Sequence, residues 1–101
     1  MSGLVCPGGG LAIVIKDDVD GIGFILSTQG DPDADKYEWE KGAATDPLDL
    51  NTLPPMRLFK VTSKTTFVDD EVAPGVRYFY RVRGSNASGS GPWCGPMSRV
   101  Q

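Results

Sequence analysis

The 101-residue chain contains no histidine and only two cysteines. Without histidine the usual general base, the Ser-His-Asp type of triad and the commonest metal ligand are all missing, so any catalysis would rest on carboxylates or on the cysteines. Basic residues are in the minority too. Ten Lys and Arg stand against thirteen Asp and Glu, for a net charge of −3, and this argues against nucleic acid as a partner, because phosphate binding needs a basic face. Long apolar runs are lacking as well. Residues 11–15 (LAIVI) form one of the longest, far short of the ~20 residues that cross a bilayer, and the first residues lack the basic-then-apolar plan of a secretory signal. No internal repeat or heptad appears. A composition of 40% hydrophobic and 23% charged residues is that of an ordinary globular chain, and this length suits one domain able to fold alone.

What is present is organised around residues 65–98. From 76 to 83 the chain reads VRYFYRVR, so Val76, Tyr78, Tyr80 and Val82 point one way and Arg77, Phe79, Arg81 and Arg83 the other. That alternation is the mark of a half-buried strand. Ala73-Pro74-Gly75 precedes it with turn chemistry, Pro fixing φ and Gly accepting a positive φ. Residues 84–92 (GSNASGSGP) follow it as an expected hairpin loop, and a second strand should return over 93–100.

The remainder falls into place around that hairpin. Residues 11–15 read as a first strand, 17–21 (DDVDG) as a polar turn and 22–27 (IGFILS) as a second strand returning antiparallel to the first. A loop at 30–36 leads to a third strand at 36–41. Residues 42–55, with Pro47, Pro54 and Pro55, exclude a central strand and read as an irregular connector. An edge strand is expected at 56–61, and Thr62-Ser63-Lys64 turns the chain into the next.

Three stretches carry a resemblance to a known family. Thr66-Phe67-Val68-Asp69 is followed by Val72-x-Pro74-Gly75-x-x-Tyr78-x-Tyr80-Arg81-Val82, and then by Asn86-x-x-Gly89-x-Gly91-x-Trp93 with Pro96-x-Ser98. Together these resemble strands E, F and G of a fibronectin type III domain, and Tyr37-Glu38-Trp39-Glu40-Lys41-Gly42 resembles its strand C. The likeness is specific from about Lys36 onward and loose before it. It implies an all-β fold, a seven-stranded antiparallel β-sandwich of immunoglobulin-like architecture, over residues 6–101. Residues 1–5 then stand as a leader, either an added start or the edge of a longer protein. A non-catalytic role is implied too, with no cofactor.

Site roles follow from the resemblance. Tyr78 falls at the family's tyrosine corner, its hydroxyl returned to backbone a few residues upstream. Trp93 lies in the motif of strand G and counts with Tyr78 and Trp39 as structural. The family's core Trp at the end of strand B is replaced by Thr28 or a neighbour. Trp39, sharing parity with Tyr37, is expected to supply the missing ring volume from the facing sheet. The family's strand order would set Arg81 and Arg83 beside Glu38 and Glu40. It would also bring the start of strand A and the start of strand G to one end of the sandwich, which makes Cys6 and Cys94 a candidate disulfide; two unpaired thiols are the alternative. A bridge would indicate an oxidising compartment: extracellular, cell surface or periplasm.

Other motifs offer less. Asp31-Pro32-Asp33-Ala34-Asp35 opens like a calcium loop, but Lys36 stands where Gly is needed and Gly42 where Glu is needed. Solvated turn carboxylates are the plain reading of these residues, of Asp17, Asp18 and Asp20, and of Asp69-Asp70-Glu71. No metal site is assigned. Gly84, Ser85, Asn86, Ala87, Ser88 and Gly89 form the candidate contact loop. Asn86-Ala87-Ser88 fits an N-glycosylation acceptor, although Asn here also ends strand F. Phe79, outward between Arg77 and Arg81, could stack on a sugar or be covered by the edge strand. The expected function is a spacer or protein-interaction module beside neighbouring domains of a larger surface or secreted protein. It would be a monomer in isolation and would not insert into a membrane. The alternative is a carbohydrate-binding accessory module of a polysaccharide-degrading enzyme, for which clustered exposed aromatics would be the signature.

Overall fold

In the computed structural model the described residues are 13–17, 23–30, 33–44 and 54–100. They form eight strands and no helix: β1 (Ile13–Asp17), β2 (Phe24–Thr28), β3 (Lys36–Ala44), β4 (Arg57–Thr62), β5 (Thr66–Asp69), β6 (Arg77–Asn86), β7 (Gly89–Ser90) and β8 (Cys94–Val100). One sheet has the order β1-β2-β5. The other runs β4-β3-β6, with β7 and β8 both pairing with β6. Every pairing is antiparallel, which makes two antiparallel sheets packed as a β-sandwich.

Alternation decides which residues meet inside. Phe24 and Leu26 of β2 and Trp39, Tyr80 and Val82 of the second sheet are all fully buried. Phe24 packs edge-on against Tyr78 and Tyr80, with centroids 6.1 and 6.3 Å away, the geometry that ring quadrupoles favour. Trp39 meets Phe67 of β5 edge-on at 5.2 Å. Thr28, where the family places a Trp, is buried with its Oγ1 lacking a hydrogen-bond partner. The large indole in this core thus comes from β3.

Several boundaries differ from those expected. β3 continues to Ala44 because Gly42, Ala43 and Ala44 still pair with Phe79, Tyr78 and Arg77, so the connector does not begin at Gly42. β6 likewise runs on through Gly84, Ser85 and Asn86, and a two-residue strand, β7, folds back onto Ser85 and Asn86. The hairpin loop is consequently shorter than the composition of 84–92 suggests. Small polar residues do not bar a strand when their partners on both sides are already in register. β2 also begins later than read, at Phe24, while residues 11 and 12 of the expected first strand lie outside the described residues. The turn at Ala73-Pro74-Gly75 forms as expected, with Gly75 at φ +80°, where a Cβ would be strained.

Candidate functional site

The end of the sandwich at the β5–β6 turn carries a polar cluster inside the fold. Tyr80 of β6 donates its hydroxyl proton to Asp69 Oδ2 of β5 at 2.6 Å, and Lys41 Nζ of β3 lies 2.8 Å from the same oxygen. Asp69 is only 5% exposed. Its other oxygen accepts from the Glu71 N–H at 3.1 Å, and Lys41 Nζ also donates to the Glu71 carbonyl at 2.6 Å. Lys41 further stands over the Tyr78 and Phe59 rings, 4.9 and 5.6 Å from their centroids, an arrangement in which a ring face attracts a cation. Burial, and then the hydrogen bond to the Asp69 carboxylate, push the Tyr80 hydroxyl pKa far above the ordinary tyrosine range. The cluster ties the first sheet to the second, and each of its members already has its partner. Its chemistry is that of a clamp.

Neither Lys41 nor Asp69 stands out in the sequence as a pair. Lys41 has the parity of Tyr37 and Trp39, which places a cation on the inward face of β3, and that parity is the signal that could have found it.

The tyrosine corner lies next to this clamp. Tyr78 accepts a hydrogen bond at 2.8 Å from the Ala73 N–H, so the group that depends on its hydroxyl is a backbone donor, not an acceptor.

On the outer face of the second sheet Glu38 pairs with Arg83 and Glu40 with Arg81 across β3 and β6. Both guanidinium groups stack on the half-buried Trp93, 4.3 Å from its centroid for Arg83 and 4.7 Å for Arg81. Trp93, just before β8, is thus held by two arginines of β6. Phe79 is buried as well, at 7% exposed. It lies across the strand pair from Gly42, and a Cβ on Gly42 would meet Pro55 O at 2.7 Å and Met56 Sδ at 2.9 Å, which places the 54–56 stretch over that part of the face. Among the described residues the large exposed hydrophobics are Val14, Leu58, Val61, Val68 and Met97. None is aromatic, so Phe79 offers no stacking face to a sugar.

The candidate contact loop divides. Gly84 and Ser85 are buried within β6, and only Ala87, Ser88, Gly89 and Ser90 form an exposed tip, with Asn86 half-buried. Asn86 works as a turn residue: Nδ2 donates to the Asp33 carbonyl at 2.8 Å, and Oδ1 accepts from the Ser88 N–H at 2.8 Å.

Asp17, read as a turn carboxylate, is the last residue of β1 and accepts two hydrogen bonds from Arg99 of β8, at 2.9 and 3.1 Å. That contact holds its carboxyl below the ordinary range and raises the guanidinium. Asp18, Asp20 and Asp31 lie outside the described residues, and among those described no three His, Cys, Asp or Glu converge as metal ligands. Cys94 is 2% exposed at the start of β8. Cys6 lies outside the described residues. No described helix is long and apolar enough to cross a membrane.

No family model matches the sequence, and no curated protein matches it. Solved structures do resemble it in fold. A fibronectin type III-like protein from Clostridium thermocellum superposes with a TM-score of 0.70 at 17% identity, over 88% of this chain and 86% of that one. The sixth fibronectin type III domain of human fibronectin type III domain containing protein 3 gives 0.68 at 14% identity, over 88% and 79%. The kinase region of twitchin from C. elegans gives 0.64 at 18% identity, over 83% of this chain and 15% of that one. With two antiparallel sheets in this order and a tyrosine corner at the start of β6, the chain has the fibronectin type III fold.

Proposed function

We propose that the chain is a non-catalytic fibronectin type III module that spaces neighbouring domains and makes protein contacts within a larger protein. The observation that carries this reading is the direction of the chain through the sandwich. Ile13, at the start of β1, lies beside Gly95 at the start of β8, where a Cβ on Gly95 would come within 3.0 Å of Ile13 Cδ1. Asp17, at the end of β1, lies beside Arg99, near the end of β8. β1 and β8 therefore run side by side in the same direction, so among the described residues the first strand starts at one end of the sandwich and the last strand finishes at the other, where Val100 pairs with Arg77. Modules whose first and last strands point this way can link in a line and set distances between their neighbours.

The buried charges support the non-catalytic part of the reading. Asp69, Tyr80 and Lys41 are engaged with one another and join the sheets, and the arginines of β6 are engaged with Glu38, Glu40 and Trp93. The proposed setting is extracellular, cell surface or periplasmic, and it rests on a bridge between Cys6 and Cys94, since an oxidising compartment is where such a bond persists.

Small-angle scattering of two copies joined in tandem tests the spacer role. A maximum dimension approaching twice that of one module, whose longest extent is 42 Å, is the expected result. A compact pair of modules lying side by side would overturn it.

A further inference from the structure

The interaction-module reading, on which this inference rests, leaves the partner open, and β4 supplies a constraint on it. β4 is the last strand of its sheet. β3 pairs with it on one side, and no described strand pairs with it on the other. An edge strand presents alternate backbone N–H and C=O groups outward, ready to hydrogen-bond an added strand. The opposite flank of the sandwich differs, because β1 and β8 lie together there and Asp17 and Arg99 join them.

Charge separates β4 from the rest of the chain. The protein carries a net charge of −3, yet residues 57–68 contain Arg57, Lys60 and Lys64 and no acid. Among the described residues the ion pairs engage Lys41, Arg81, Arg83 and Arg99, and none of Arg57, Lys60 and Lys64 has a carboxylate partner. Lys16 and Lys36 stand singly elsewhere; only at β4 do the uncompensated cations line one edge.

Apolar surface accompanies this charge. Leu58 and Val61 are 54% and 47% exposed, and they lie opposite Glu40 and Glu38, hence on the outer face of the sheet. A register shift between Trp39 and Glu40 leaves Phe59 between the two runs of pairs. Phe59 turns inward, onto Phe67 and Tyr80 at 5.9 Å each. Lys60 keeps its ammonium 5.5 Å from the Phe67 centroid, at the rim between the sheets.

We propose that β4 is a docking edge that takes an extended acidic segment of a protein partner as an added strand. Backbone pairing along the strand would give affinity, acidic side chains would meet Arg57, Lys60 and Lys64, and small apolar side chains would cover Leu58 and Val61. A second copy is the wrong occupant, because β4 against β4 sets cation against cation, and such repulsion is a device that keeps identical edges apart. The charges that reject a copy select an acidic strand.

The test is an NMR titration of the labelled full chain with a capped hexapeptide of alternating Glu and Val. A Lys/Val counterpart and a Glu/Val peptide N-methylated on alternate amides serve as controls. Saturable shifts confined to β4 and the neighbouring residues of β3, seen with the first peptide and absent with both controls, are expected. Lys60→Glu combined with Lys64→Glu, both at exposed positions, should weaken Glu/Val binding by roughly tenfold or more and allow the Lys/Val peptide to bind. Retained spectral dispersion shows that this variant is folded. No shifts at millimolar Glu/Val peptide, or equal shifts with the N-methylated peptide, would overturn the proposal. Shifts at residues 87–90 instead would overturn the β4 site and leave the interaction-module reading intact, and the tandem scattering experiment judges the spacer role independently.

Discussion

Tyr80 and Lys41 meet at one oxygen of Asp69, so that a hydroxyl from β6 and an ammonium from β3 close on a carboxylate from β5 at 2.6 and 2.8 Å. Three strands from two sheets converge on this atom. The carboxylate is buried, and its removal would leave the Lys41 ammonium among aromatic rings without a counter-charge. Asp69→Ala is expected to cost about 3–5 kcal/mol, the range for breaking a buried pair from one side. Tyr80→Phe, which leaves the Lys41 contact in place, should cost less, about 1–3 kcal/mol. Urea denaturation of both variants checks the order. A smaller loss for Asp69→Ala than for Tyr80→Phe would show that the ion pair is not the dominant contact.

The raised pKa of Tyr80 makes stability fall at high pH. The unfolded chain begins to release this proton near pH 10, the ordinary tyrosine value, whereas the folded chain still holds it. The contribution is therefore fully present below about pH 10 and is lost as pH rises from there toward the folded-state value. Tyrosinate absorbance should show an ionisation that coincides with loss of structure, and Tyr80→Phe should reduce its amplitude. Ionisation of Tyr80 in a protein that remains folded would contradict the geometry.

At the tyrosine corner, Tyr78→Phe would leave the Ala73 N–H without its acceptor. A loss of about 1–3 kcal/mol is expected for an orphaned donor at a partly buried site. Hydrogen exchange at Ala73 provides the local readout. It should speed up selectively, and unchanged exchange would mean that the Tyr78 oxygen does not protect that amide.

Asp17 responds in the opposite pH direction from Tyr80. The Arg99 hydrogen bonds lower its folded-state pKa, so its contribution is present above the unfolded aspartate value and is lost as pH falls through the folded one. Denaturation midpoints measured across the acid range should decline less steeply in Arg99→Gln than in the parent. Identical slopes would show that this exposed pair has no effect on stability.

A bridge between Cys6 and Cys94 would close most of the chain into one loop, and in the chain-entropy model this adds roughly 4–5 kcal/mol. Protein produced in an oxidising compartment should resist thiol alkylation until it is reduced, and reduction should lower its stability by about that amount. Two alkylated cysteines in unreduced protein would remove the bridge and, with it, the argument for an oxidising location.

Much of the architecture could be read in local pattern. Alternation over residues 76–83 and the Pro74-Gly75 turn marked the body of β6 and its start, because a strand between two unlike faces writes a two-residue period into the chain, and the resemblance carried by these residues and Trp93 implied the sandwich. The pairing of Arg81 and Arg83 with Glu38 and Glu40 followed once strand order was known, since cross-strand neighbours are set by register.

What local pattern could not supply depends on residues far apart in sequence. Gly84 and Ser85 have the composition of a loop, yet they belong to β6, because their partners Tyr37 and Lys36 continue the ladder, and a neighbour on another strand overrides local preference. Phe79 sits on the face that alternation turns outward, but the stretch 54–56 passes over the Gly42 side of that face, which no periodicity of β6 records. Lys41 and Asp69 are 28 positions apart and chemically unremarkable where they stand in the chain. Only the packing of one sheet on the other makes them a buried pair. The sequence by itself thus determined most strand positions and the turns, because these follow from nearest-neighbour geometry and a two-residue period, while its resemblance to fibronectin type III domains implied the family of folds. Tertiary structure alone decided which polar groups are buried together, which aromatics remain covered and which strand has no described strand on its outer side, because those properties belong to contacts between strands.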